Sequence, residues 1–289
     1  MSHFAVAVIS DGTKTIEELL APYQENNMED CPKEFLEFND IEEEYREEYE
    51  NGGCEYVFMP DGRRLLPLDE EFRVKGSIGF GTDTHKVPDY LERRLIPFKE
   101  TFPTFEDYMR DWCVEEKDPE TGKYGYWENP NAKWDWYQVG GRWCGQVRAT
   151  AGGVVKADQS PYEGGCYDLA KLRNLIWDRD EVAAKRAENE WRAWVDGEDI
   201  EGVGRSLWTP KYYIDQFGDR EGYVLCASSM WWRAVITPDG KWHEVGEMGW
   251  FGTSSESNGE IVEWAKSFKE RFIDPCDPDC LLAVVDCHI

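Results

Sequence analysis

The chain of 289 residues carries 59 acidic against 32 basic side chains, a formal net charge of −27. Such a charge keeps a folded protein soluble and opposes compaction by self-repulsion. It also repels nucleic acid, anionic lipid and anionic substrates from most of the surface. Aromatic residues make up 14% of the sequence, with 14 Trp, 14 Tyr and 13 Phe, enough for a large apolar core and against a disordered chain.

The first ten residues, Met1 to Ser10, read as a strand rather than a secretory signal, because the basic leader segment is missing. Thr15 caps a short helix through Leu20, with Glu17 and Glu18 in its first turn, and Pro22 stops it. Acid is concentrated in segment 25–55, which reads as an acidic helical elaboration with its helix over Asp40 to Tyr49. Cys54 to Arg64 and Trp231 to Trp242 each place a β-run before Pro-Asp-Gly and a basic residue, predicting two hairpins. Phe102 to Trp112 reads as a helix capped by Thr104. Lys133 to Val147 reads as two strands around Gly140-Gly141. Leu169, Leu172, Leu175, Ile176, Ala183, Ala187, Trp191 and Trp194 recur at helical spacing, predicting a helical insertion over 168–197 that Gly197 closes. Gly202, Gly204 and Pro210 mark a loop, and Tyr223 to Cys226 reads as β structure. A helix over Ile261 to Phe272 and a strand over Leu281 to Asp286 complete the chain. The pattern predicts one α+β unit over 1–289, built on a mixed sheet that contains both terminal strands, with helices and hairpins inserted between them.

No apolar run reaches the roughly 18 to 20 residues of a membrane span. The 9 Cys, odd in number and scattered from Cys31 to Cys287, lack the density of a disulfide scaffold and point to a reducing cytoplasm. Cys276, Cys280, Cys287 and His288 have the wrong spacing for a paired-cysteine zinc knuckle, and neighbouring Cys287 and His288 face opposite ways along a strand. No metal or cofactor is therefore expected. Gly76 to Lys86 is glycine-rich but lacks the Gly-Lys-Ser/Thr of a phosphate loop.

Two constellations suit ligand binding. In Lys133-Trp134-Asp135-Trp136-Tyr137, strand alternation would put Trp134 and Trp136 on one face, and Gly140-Gly141-Arg142-Trp143 adds a guanidinium that grips planar anions. The alternative is an aromatic core hairpin with Arg142 paired to a carboxylate. Trp250 lies in a second aromatic-glycine loop, Met248 to Ser255. For catalysis the candidates are Asp286 and His288, on one face of the last strand, with His3 in a neighbouring one. A structural Asp–His bond is the plainer reading of that pair.

Taken together, Met1-Ser2-His3-Phe4, Leu19 to Asn26, Lys133 to Tyr137 with Gly140 to Trp143, Gly240 to His243 with Gly246 to Trp250, and Val285 to Ile289 resemble a family found among proteins of phages, prophages and bacterial mobile elements. The likeness spans nearly the whole chain. It implies a setting, the host cytoplasm, rather than a reaction. In that setting an acidic viral protein is expected to act in counter-defence, as a DNA mimic. Glu42, Glu43, Glu44, Glu47 and Glu48 would bind the basic, nucleic-acid-binding surface of a host defence nuclease complex such as Gabija. No direct nucleic-acid contact and no membrane contact are expected, and self-association stays open. The alternatives are a sponge for a nucleotide signal, using Trp134, Trp136, Arg142, Trp143 and Trp250, and a hydrolase using His3, Asp286 and His288.

Overall fold

The computed structural model describes residues 3–74, 84–150, 166–246, 255–256 and 259–289. The chain opens with β1 (His3–Ser10) and α1 (Ile16–Leu20), where Thr15 accepts the Glu18 amide and the Glu18 carboxylate accepts the Thr15 N–H. Pro22 lies in one further 3-10 turn, Ala21–Tyr23. Next come β2 (Glu37–Asp40), α2 (Glu42–Asn51), β3 (Gly53–Phe58), β4 (Arg64–Leu65), β5 (Arg73–Val74) and β6 (Thr84–His85). They are followed by β7 (Glu92–Pro97), α3 (Phe98–Thr101), α4 (Phe105–Tyr108) and β8 (Gly125–Glu128). Then follow β9 (Trp136–Val139), β10 (Val147–Arg148), β11 (Cys166–Tyr167), β12 (Leu169–Lys171) and α5 (Glu181–Trp194). The chain ends with α6 (Pro210–Phe217), α7 (Arg220–Ser228), β13 (Ala234–Ile236), β14 (Trp242–Glu244), α8 (Glu260–Phe268) and β15 (Leu281–His288).

Where the sequence reads as one unit, the contacts divide the chain into two: Met1–Leu36 with Asn129–Ile289, and Glu37–Glu128. The first unit is organised by a mixed sheet in the order β12-β15-β1-β13-β14, with β9 also on β15. β1 runs antiparallel to β15 along its whole length, from His3 opposite His288 to Ser10 opposite Leu281, and parallel to β13. Both ends of the chain therefore meet in the middle of one sheet, as the apolar runs at each end predict. Alternation sorts the side chains. Ala5, Ala7, Ile9, Leu282 and Val284 pack on Trp232, Trp264 and Phe268, while Phe4, Val6, Val8, Val285 and Cys287 pack on Leu19, Leu20 and Trp134.

In the second unit β3 pairs with β4 and β7, and β2 pairs with β8. Its core gathers Tyr49, Phe98, Phe105, Tyr108, Met109 and Tyr124. Both Pro-Asp-Gly segments are hairpins: the Met59 N–H meets the Arg63 carbonyl, and the Thr237 N–H meets the Lys241 carbonyl.

Four expectations change. Segment 25–55 is not helical throughout, since Lys33–Phe35 is a 3-10 turn and β2 precedes α2. Asp168 to Asp196 is not one helix. Leu169 belongs to β12, Leu172 to a 3-10 turn, Leu172–Asn174, and Leu175 is extended just after it; the helix begins only after Asp180, whose carboxylate caps the Val182 and Ala183 amides. Tyr223 to Cys226 is helical within α7, capped by Asp219 on the Gly222 amide. A run this short has no periodicity to separate strand from helix, and the cap decides it. Pro210 opens α6 rather than continuing a loop, with Thr209 before it.

Candidate functional site

The end of the central sheet collects the candidate catalytic residues. On the face shared by Ala5 and Val284, the next positions outward are His3, Asp286 and His288. The expected Asp286–His288 pair does not form. His3 Nδ1 lies 2.9 Å from Asp286 Oδ1, and His288 Nδ1 lies 2.6 Å from Asp135 Oδ1. The reason is register: Ala5 faces Asp286, which puts His3 diagonally beside that carboxylate, while the Asp135 N–H bonds the His288 carbonyl and brings its own side chain alongside. A carboxylate oxygen accepts, so in each pair Nδ1 is the donating nitrogen. The two imidazoles stand edge to face with centroids 4.9 Å apart.

Asp286 is buried, and its second oxygen accepts the Arg142 backbone N–H at 2.9 Å. The Gly-Gly-Arg-Trp segment is thus a clasp on buried acids. Gly140 and Gly141 have φ of +77° and +55°, and a Cβ on Gly141 would lie 2.4 Å from the Asp286 Cβ. A Cβ on Gly140 would lie 2.6 Å from the carboxylate of Asp168, which is fully buried and accepts the Gly145 N–H at 2.9 Å. These glycines sit at a seam: β9 and β12 share one edge of β15, and the Gly140 N–H bonds Val284 O while the Val284 N–H bonds Asp168 O. Glu25 lies nearby. Burial first, then the Asp135 charge, raises its carboxyl above the usual range, with His288 acting against the rise. Cys287 faces the other way, and burial pushes its thiol well above the usual value.

The aromatic ligand candidates do not converge. Trp134 is buried, donates Nε1–H to the Leu20 carbonyl and packs on Tyr137, so it lies opposite Trp136 rather than beside it. The strand begins only at Trp136, which breaks the alternation expected from Trp134 onward. Trp136 is 49% exposed, with its ring edge-on to His3. The β9 strand and β10 do not form a hairpin, and Arg142 meets Asp286 through its backbone while its side chain is exposed. Trp143 packs against the main core. Trp250, with the loop around it, and Gly76 to Asp83 lie outside the described residues.

The acidic candidates form one helix. Tyr45 and Tyr49 turn α2 toward the second unit's core, where the Tyr49 hydroxyl donates to the Phe102 carbonyl at 3.1 Å. Glu43, Glu44, Glu47 and Glu48 are exposed, and Glu42 is half-buried and paired with Arg46 at 2.7 Å. Among the described residues no cation pairs with Glu43, Glu44 or Glu47. Glu43/Glu47 and Glu44/Glu48 are like-charge pairs one turn apart, each costing the helix about 0.2–0.5 kcal/mol. The dipole at the helix start favours Glu42, Glu43 and Glu44 and offsets part of this cost.

All 9 cysteines are free, and among the described residues no group of three or more metal-ligating side chains is placed to hold an ion. Among the described residues no helix is long and apolar enough to cross a membrane. Comparison of the chain with protein-family models, with curated proteins and with solved structures gives no match.

Proposed function

We propose that the protein is an acidic inhibitor that occupies the basic, nucleic-acid-binding surface of another protein through α2. The observation that supports this reading is the charge spacing on that helix. With a rise of about 1.5 Å per residue, the carboxylates of Glu43, Glu44, Glu47 and Glu48 span about 7.5 Å of axis, a mean spacing of roughly 2.5 Å. Duplex DNA carries one phosphate charge per about 1.7 Å. The helix therefore offers a basic groove a charge density between that of the duplex and that of a single strand, one charge per about 3.4 Å, on a rigid element whose inner face is anchored by aromatics. The resemblance to phage and mobile-element proteins supplies the setting. The partner is then a host defence nuclease complex, for example of the Gabija type, met in the host cytoplasm.

The test is infection of a defended host, comparing the parent with Glu43→Lys/Glu44→Lys/Glu47→Lys. The reversal should abolish rescue of the phage while leaving the melting temperature within a few degrees, because exposed charges contribute below about 1 kcal/mol per pair. Rescue equal to the parent's would sink the proposal. A second reading, a hydrolase, is favoured by the two imidazole–carboxylate pairs, since each would leave an Nε2 lone pair to act as a general base. The same assay with His288→Ala separates the two: the inhibitor should keep its activity and a hydrolase should lose it.

A further inference from the structure

The first unit contains a basic cavity that the acidic helix plays no part in. Its volume is about 410 Å³, within the roughly 300–1,000 Å³ typical of small-molecule sites. Its walls come from β10, the start of α5, the end of α7 and the segment that follows, and they include Arg148, Arg186, Asp180, Ser229, Trp231 and Trp232.

Two donors here lack acceptors. Arg148 Nη2 and Trp232 Nε1 are both buried without a hydrogen-bond partner among the described residues. In a chain with 59 acidic side chains, no described carboxylate comes within ion-pair distance of Arg148. A buried donor without a partner is costly, more so when it is charged, so a bound acceptor in this cavity would relieve the Arg148 guanidinium. Arg186 adds a second cation on the α5 surface, held by Glu190 only at 3.7 Å. Among the described residues the one acid lining the cavity, Asp180, spends Oδ1 on the Val182 and Ala183 amides. Trp231 is half-buried and fixed by its Nε1–H on the Cys226 carbonyl at 2.8 Å, which sets an aromatic wall beside the two guanidinium groups.

We propose that this cavity binds a small phosphate-bearing molecule of about mononucleotide size, with Arg148 and Arg186 on the phosphate and Trp231 against its planar body. A guanidinium matches phosphate with a two-pronged fork and also stacks on aromatic planes, the two contacts such a ligand needs. The overall charge of −27 repels anions from the general surface, so selective uptake must come from this local reversal of sign.

The experiment is calorimetric titration of the full chain with inorganic phosphate, with adenosine monophosphate and with adenosine. Adenosine monophosphate should bind one per chain, phosphate should bind more weakly at the same site, and adenosine should not bind detectably. Arg148→Gln should weaken adenosine monophosphate at least about tenfold, as expected for loss of a hydrogen bond to a charged group. Arg186→Gln, an exposed substitution that leaves the core untouched, should weaken it by a smaller factor and keeps the test valid if Arg148→Gln does not fold. Glu43→Lys/Glu44→Lys/Glu47→Lys should leave the affinity unchanged. No heat with either phosphate or adenosine monophosphate at millimolar concentration, or equal affinity in the Arg186 variant and the parent, would overturn the proposal.

Discussion

Gly141→Ala is expected to cost about 3–5 kcal/mol and to lower the melting temperature by about 6–20 °C, although it adds one methyl group. Two effects combine. At φ of +55° an alanine carries a left-handed penalty of about 1–2 kcal/mol. Its Cβ would also sit 2.4 Å from the Asp286 Cβ, a contact that forces one of them to move. Moving Asp286 breaks both the Arg142 N–H contact and the His3 contact, leaving a buried carboxylate short of donors at about 1–3 kcal/mol. Thermal melts of the alanine variant beside Gly197→Ala give the comparison. Gly197 has φ of +75° with nothing near a Cβ, so it measures the backbone penalty alone. Equal losses at the two positions would show that the clasp on Asp286 contributes nothing.

Deleting Val284 to Ile289 should leave the chain insoluble or without a cooperative melt. These residues pair with β1 from Ala7 to His3 and with β9 from Val139 to Trp136, so their loss unzips the sheet on both sides. Val284, Val285 and Cys287 are fully buried. At about 1.5–3 kcal/mol for each apolar side chain, with the ladder bonds added, the loss approaches the 5–15 kcal/mol that holds a typical domain together. Soluble expression with a sharp thermal transition would contradict a central position for β15.

The terminal strands were legible because both ends are apolar runs whose length and β-branched content leave little choice, and the two Pro-Asp-Gly hairpins because that turn chemistry acts locally. The α1 and α4 helices were legible from their Thr caps. The site was less so. Which imidazole meets which carboxylate depends on a register between residues 283 positions apart, and composition cannot set it. Asp135 gives no catalytic signal in the sequence, because it lies between two tryptophans whose pattern points to stacking. Asp168 left a signal, an acid flanked by Tyr167 and Leu169-Ala170, which a buried and hydrogen-bonded role explains. Arg148 left none: its meaning comes from the absence of a partnering carboxylate among the described residues, a fact of three dimensions.

The central claim, that α2 replaces a phosphate track, is tested most directly by the salt dependence of association with a purified Gabija-type nuclease complex. At physiological ionic strength charges are screened over about 8 Å, so a contact made by exposed carboxylates must weaken as salt rises. The association rate of the parent should fall at least about tenfold between roughly 50 and 300 mM salt, and Glu43→Lys/Glu44→Lys/Glu47→Lys should not associate at either. Association that ignores salt, or that survives the reversal, would contradict the account.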